Sequence, residues 1–148
     1  MPGQYAENTD CPLVLTNVFG GGKDAPYTPA DASIFSPLVN IKHKKSGTSI
    51  TGSVFGGGQG SGAVVTANPV VTIGDGENAN HYAAIGVDVY GGGDAAEVVG
   101  TATVNVVNNC YTTITGDVYG GGNAADVSAT SVSINGGSII MTWPILLS

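Results

Sequence analysis

Apolar residues come in pairs two positions apart along much of the chain. Val39/Ile41, Val71/Ile73, Val104/Val106 and Val132/Ile134 are the clearest cases. Alternation at period two marks strands with one buried face. No segment carries the 3.6-residue period of an amphipathic helix. A second pattern is laid over the first. The strings Asn17-Val18-Phe19-Gly20-Gly21-Gly22, Ser53-Val54-Phe55-Gly56-Gly57-Gly58, Asp88-Val89-Tyr90-Gly91-Gly92-Gly93 and Asp117-Val118-Tyr119-Gly120-Gly121-Gly122 repeat one motif four times, with valines 36, 35 and 29 residues apart. Four residues before these valines stand Val14, Ile50, Ile85 and Ile114. After the glycines, Asp94-Ala95-Ala96-Glu97-Val98 matches Asn123-Ala124-Ala125-Asp126-Val127.

Each repeat therefore offers about three short strands separated by Gly, Asn, Asp and Pro. A unit that small cannot bury its apolar face alone, but stacking on similar neighbours solves the problem. The sequence predicts an all-β, right-handed parallel β-solenoid (β-helix) of about four rungs, 29–36 residues each. The hand follows the usual crossover between parallel strands, and the strands should lie about 4.8 Å apart. Residues 13–137 form the rungs of a single domain, 1–12 an N-terminal cap and 138–148 an apolar C-terminal cap or a truncated rung. Two insertions, Lys23 to Pro37 and Gly74 to Tyr82, are expected as surface loops. A β-sandwich or a propeller is the rival, although a propeller blade needs about 40 residues and four strands.

Composition supports strands. There are 18 Val and 10 Ile against 5 Leu, 24 Gly among 148 residues, and only 10% charged residues. A disordered acidic tail would be rich in charge and poor in β-branched residues. A helical bundle would favour Leu, Glu and Lys. The net charge is −7 and Arg is absent, which argues against nucleic-acid binding and against a phosphate clamp. The basic cluster Lys42, His43, Lys44 and Lys45 reads as a solvated turn. No apolar run approaches the roughly 18 residues of a membrane span. Met1-Pro2-Gly3-Gln4-Tyr5 does not resemble a signal peptide, so a secreted parent would imply an excised piece or a missing leader.

In a solenoid, equivalent residues form columns. Val18, Val54, Val89 and Val118 should point inward. Strict alternation then sends Phe19, Phe55, Tyr90 and Tyr119 outward as an aromatic ladder. Such a ladder is a candidate stacking platform for sugar rings or a partner; alternatively, the glycines that follow bend the chain and fold the rings back. The triplets Gly20–Gly22, Gly56–Gly58, Gly91–Gly93 and Gly120–Gly122 lack the helix and the Lys-Ser or Lys-Thr of a phosphate loop. They read as coil corners, where glycine permits positive φ or close backbone approach. Asp88 over Asp117 and Glu97 over Asp126 either face water or share a cation. Calcium is the one cofactor to consider, there or in Asp75-Gly76-Glu77-Asn78; otherwise none is expected. Cys11 and Cys110 sit about three rungs apart, beyond the reach of a disulfide within the chain. Neither His43 nor His81 falls in a catalytic or zinc motif, so no enzyme is expected. An ice-binding face is disfavoured because Thr101-Ala102-Thr103 and Thr113-Ile114-Thr115 are not matched in the other rungs.

The ends of a solenoid are exposed strand edges. Trp143 and Pro144 replace the expected motif near the C-terminus. They suggest an apolar cap, an altered rung of a longer array, or a docking strand through which molecules self-associate.

The strings Gly116-Asp117-Val118-Tyr119-Gly120-Gly121-Gly122-Asn123-Ala124-Ala125-Asp126-Val127 and Asn135-Gly136-Gly137 resemble the glycine-rich repeats of large, adhesin-like surface proteins of gut bacteria. The resemblance runs from about Leu13 to Gly137. It departs in the first two rungs, where Lys23 and Gln59 replace the Asn or Asp after the triplet. It implies an extracellular, repetitive structural or adhesive segment on a bacterial cell surface, with no catalytic residues to carry over. From a different class, a carbohydrate-binding module would use the aromatic ladder against a glycan.

Overall fold

A computed structural model describes residues 13–43 and 49–140. These contain thirteen strands and no helix. Coil 1 holds β1 (Val14–Leu15), β2 (Val18–Phe19) and β3 (Leu38–Ile41). Coil 2 holds β4 (Ser49–Ile50), β5 (Val54–Phe55) and β6 (Val70–Ile73). Coil 3 holds β7 (Ala83–Ile85), β8 (Val89–Tyr90) and β9 (Val98–Val106). Coil 4 holds β10 (Thr112–Ile114), β11 (Val118–Tyr119) and β12 (Val127–Ile134), and β13 (Ser138–Ile139) opens a fifth. Strands pair only with their counterparts in adjacent coils. The result is three sheets, ordered β1-β4-β7-β10-β13, β2-β5-β8-β11 and β3-β6-β9-β12. Every strand pairing is parallel. The protein is a β-solenoid, and no propeller or sandwich is formed.

The register sets the columns. Val18, Val54, Val89 and Val118 pair in sequence. So do Val39, Val71, Val104 and Val132, and Ile41, Ile73, Val106 and Ile134. Where a coil lies on both sides, these side chains are sealed: Val54, Val89, Val71, Val104, Ile73 and Val106 are 0% exposed. Each such burial stabilises the fold by about 1.5–3 kcal/mol. A smaller core of Val65, Ala67 and Val98 lies under the segment after the glycines.

One column differs from the sequence expectation. Ile50, Ile85 and Ile114 align, but their partner in coil 1 is Leu15, not Val14. Coil 1 reaches its motif valine one residue sooner because it lacks the glycine found as Gly52, Gly86 and Gly116 in the other coils. Hydrogen bonding between coils overrides counting from the motif.

The triplet glycines use close approach and not positive φ. The glycines with positive φ among the described residues are Gly60, Gly74, Gly100 and Gly137, none of them in a triplet. A Cβ on Gly20, Gly56 or Gly91 would overlap the carbonyl oxygen of the first glycine in the next coil. A Cβ on Gly57 would sit 2.7 Å from the Gly93 nitrogen, and one on Gly92 2.8 Å from Gly122. The backbone turns left-handed two residues after each triplet, at Asp24, Gly60, Ala95 and Ala124. The cap expectations for 1–12 and for Trp143 and Pro144, and the basic residues Lys44 and Lys45, lie outside the described residues, as does Cys11. Cys110 is exposed with a free thiol.

Candidate functional site

The aromatic ladder begins in the two-residue strands of the second sheet. Parallel pairing sets Phe19, Phe55, Tyr90 and Tyr119 one above another. The rings stack in turn, with centroids 4.7, 4.9 and 4.9 Å apart and planes within 10°. That spacing is the strand spacing itself. At such distances the offset-stacked geometry adds about 0.5–1.5 kcal/mol per pair beyond burial. Stacking consumes both faces of the inner rings, and Phe55 is only 5% exposed. Tyr119, at the end of the series, is 42% exposed. The ladder expected from the sequence is present, but its faces are turned to one another.

The acids two residues earlier belong to the same construction. Asn17 Oδ1 accepts the Ser53 N–H at 2.8 Å, Ser53 Oγ accepts the Asp88 N–H at 3.1 Å, and Asp88 Oδ1 accepts the Asp117 N–H at 2.8 Å. Each side chain thus ties its coil to the next. The second carboxylate oxygen takes a phenol: Tyr90 donates to Asp88 Oδ2 at 3.1 Å and Tyr119 to Asp117 Oδ2 at 3.2 Å. Burial, then the Asp88 hydrogen bond, pushes the Tyr90 phenol up to about 12. The hydrogen bond that Tyr119 donates to Asp117 leads the rise of its own phenol. Both oxygens of Asp88 are committed within the protein. Glu97 and Asp126 stand adjacent, since the Val98 N–H bonds the Asp126 carbonyl, and both are exposed. Among the described residues no group of three or more His, Cys, Asp or Glu converges as a metal site.

A second cluster lies at the corner following β6, in the Asp75-Gly76-Glu77-Asn78 loop that the sequence offered for calcium; its links to His81, Lys42 and Asn109 were not foreseen. Asp75 is 6% exposed. Its Oδ1 accepts the N–H groups of Glu77 at 2.9 Å and Asn78 at 3.2 Å, and its Oδ2 meets His81 Nδ1 at 2.5 Å. Lys42 Nζ lies 3.8 Å from Oδ2. These partners, the Glu77 N–H first among them, hold the carboxyl below the usual carboxylate range despite its burial. On the other side of the imidazole, Nε2 lies 3.1 Å from Asn78 Nδ2. Asn78 Oδ1 is already accepting the Asn80 N–H, so Asn78 faces the ring with its amide nitrogen, a donor. Asn109, 3% exposed, donates from the coil above to the carbonyls of Asp75 and Asn78. The nitrogen that a general base would use is therefore occupied by a neighbouring amide. The cluster braces one corner against the next. Its signal in the sequence was present but faint: Asp-Gly-Glu-Asn is an Asx-turn string, with a histidine six residues after the acid.

No protein-family model, curated protein sequence or solved structure matches the chain.

Proposed function

We propose that this chain is a structural, adhesin-like spacer segment of a bacterial cell-surface protein, working outside the cell without catalysis. The ring stacking carries this reading. The aromatic side chains that would form a glycan platform spend their faces on one another. The carboxylates beside them hold backbone N–H groups and phenols between coils. The side chains with the most chemistry are thus used to bind coil to coil, which is what a load-bearing rod requires. The glycine-rich repeats add the likeness to bacterial surface proteins. A carbohydrate-binding module is the second reading, favoured by one observation, the half-exposed ring of Tyr119.

A glycan array separates the two. For a spacer, wild type and Tyr119→Ala give the same background signal. Saturable binding to a glycan by wild type, lost in a folded Tyr119→Ala, would replace the spacer with the module.

A further inference from the structure

The two ends of the solenoid are complementary to each other. At the C-terminal end, Val132 and Ile134 are 44% and 50% exposed. In coils 2 and 3 the same columns are fully sealed by the coil beyond, so these inward-pointing residues lack only a further coil. At the N-terminal end, a groove of about 370 Å³ is lined by Leu15, Val18, Phe19, Val39 and Ile41, the first members of the same columns.

The glycines say what covers the C-terminal end. The second glycine of each triplet abuts the third glycine of the next coil: Gly21 on Gly58, Gly57 on Gly93, Gly92 on Gly122. Gly121 is also a second glycine, yet a Cβ there meets nothing within 4 Å among the described residues, and its φ is not left-handed. Gly22 is the counterpart. Gly58, Gly93 and Gly122 each press on the carbonyl of the third glycine one coil earlier, whereas among the described residues Gly22 has only its own Ala25 beside it. The partner that Gly121 lacks is therefore the kind of residue that Gly22 is. Residues 141–148 contain no glycine. Among the described residues the polar ladder ends in the same way. Asp88 Oδ1 receives the Asp117 N–H, and Asp117 Oδ1 stands in the equivalent place for the Asn17 N–H of a following coil.

We propose that copies of this chain stack head to tail, coil 4 of one against coil 1 of the next. Gly121 then meets Gly22, Tyr119 stacks on Phe19, and Val132 and Ile134 cover Val39 and Ile41. β13 already lies over β10, so the incoming β1 yields to it, with Ile139 standing in the column of Leu15. This head-to-tail contact does not close on itself and yields open rods. It is independent of any cell-surface role, since it concerns only the coil edges.

Light scattering over a concentration series tests it, with wild type and Gly121→Val. Among the described residues of a single chain the substitution points into open space, so the circular dichroism spectrum and melting temperature should be unchanged. Wild type should grow past dimers as concentration rises, while Gly121→Val keeps the mass of one chain. Wild type at one-chain mass throughout, as when the segments 1–12 or 141–148 cover the ends, overturns the proposal. So does growth that stops at two chains, which means like ends meet, or growth of Gly121→Val equal to wild type. Should Gly121→Val not fold, Leu38→Cys with Ser131→Cys decides the matter in a chain whose Cys11 and Cys110 are serine. These positions share one outward column and lie three coils apart within a chain, about 14 Å and out of disulfide range. A ladder of disulfide-linked multimers on a non-reducing gel supports stacking in this register; one-chain material alone rejects it.

Discussion

Glycine and alanine occupy the positions where a side chain matters most. Gly57 and Gly121 occur at the same place in the same motif, but only Gly57 has a coil pressed against it. Gly57→Ala must push the Gly93 backbone away, and we expect a loss of about 1–3 kcal/mol in chemical denaturation. Gly121→Ala in a single chain should change stability by less than about 0.5 kcal/mol. The left-handed corner offers the opposite experiment. Ala124 holds φ at 57°, where Gly60 occupies the equivalent corner in coil 2. Ala124→Gly should raise stability by up to about 1 kcal/mol, because the left-handed conformation strains any residue with a Cβ; a loss would mean that other contacts fix the corner. The sequence showed that these glycines were structural. It did not show which of glycine's two freedoms each position uses, because both leave the same residue type behind.

Among the elements, the two-residue strands and their polar neighbours form one device. Coils 3 and 4 read Asp-Val-Tyr, with the phenol on the acid. Coils 1 and 2 read Asn-Val-Phe and Ser-Val-Phe, with no phenol and no acid. The exchange of Asp for a neutral residue whenever Tyr becomes Phe was legible in the sequence as a correlation, and the hydrogen bond explains it. Ring orientation was not legible, since alternation assigns a face of the strand but not the plane of a ring. The Tyr90 phenol, raised from 10.0 to about 12 in the folded chain, keeps its proton longer when folded than when unfolded. Its contribution is complete below pH 10 and is lost as pH climbs towards 12. Melting temperature should fall over that window, and Tyr90→Phe should flatten the fall; an equal fall in both would assign it elsewhere.

The corner after β6 behaves in the reverse sense. The Asp75 carboxyl lies below its ordinary 3.8, so its support is present above that value and disappears as acid protonates the folded form. Asp75→Ala strands the N–H groups of Glu77 and Asn78 and should cost about 1–3 kcal/mol at neutral pH. Faster amide exchange in residues 75–81 would show that the loss is local. No change in either quantity would mean that Asn109 alone holds the corner. From the sequence this segment read as a surface insertion with a candidate calcium loop; its brace was not legible, because Asp75 and Asn109 meet only once two coils are stacked.

At the scale of the whole molecule, four marked repeats made the solenoid legible. The motif valines and glycines fixed the register of coils 2 to 4, and the columns followed. Coil 1 slipped by one residue because its missing glycine shortens the path to Val18. The stacking also gives the molecule its mechanical character. Each coil is held chiefly by its neighbours, so stability propagates along one axis.

Pulling single molecules apart from residues 13 and 140 is the most direct test of a load-bearing spacer. We expect discrete force peaks, each releasing one coil of 29–36 residues, or about 100–130 Å of chain. Smooth extension with no peak, as from a disordered polymer of the same length, would contradict it.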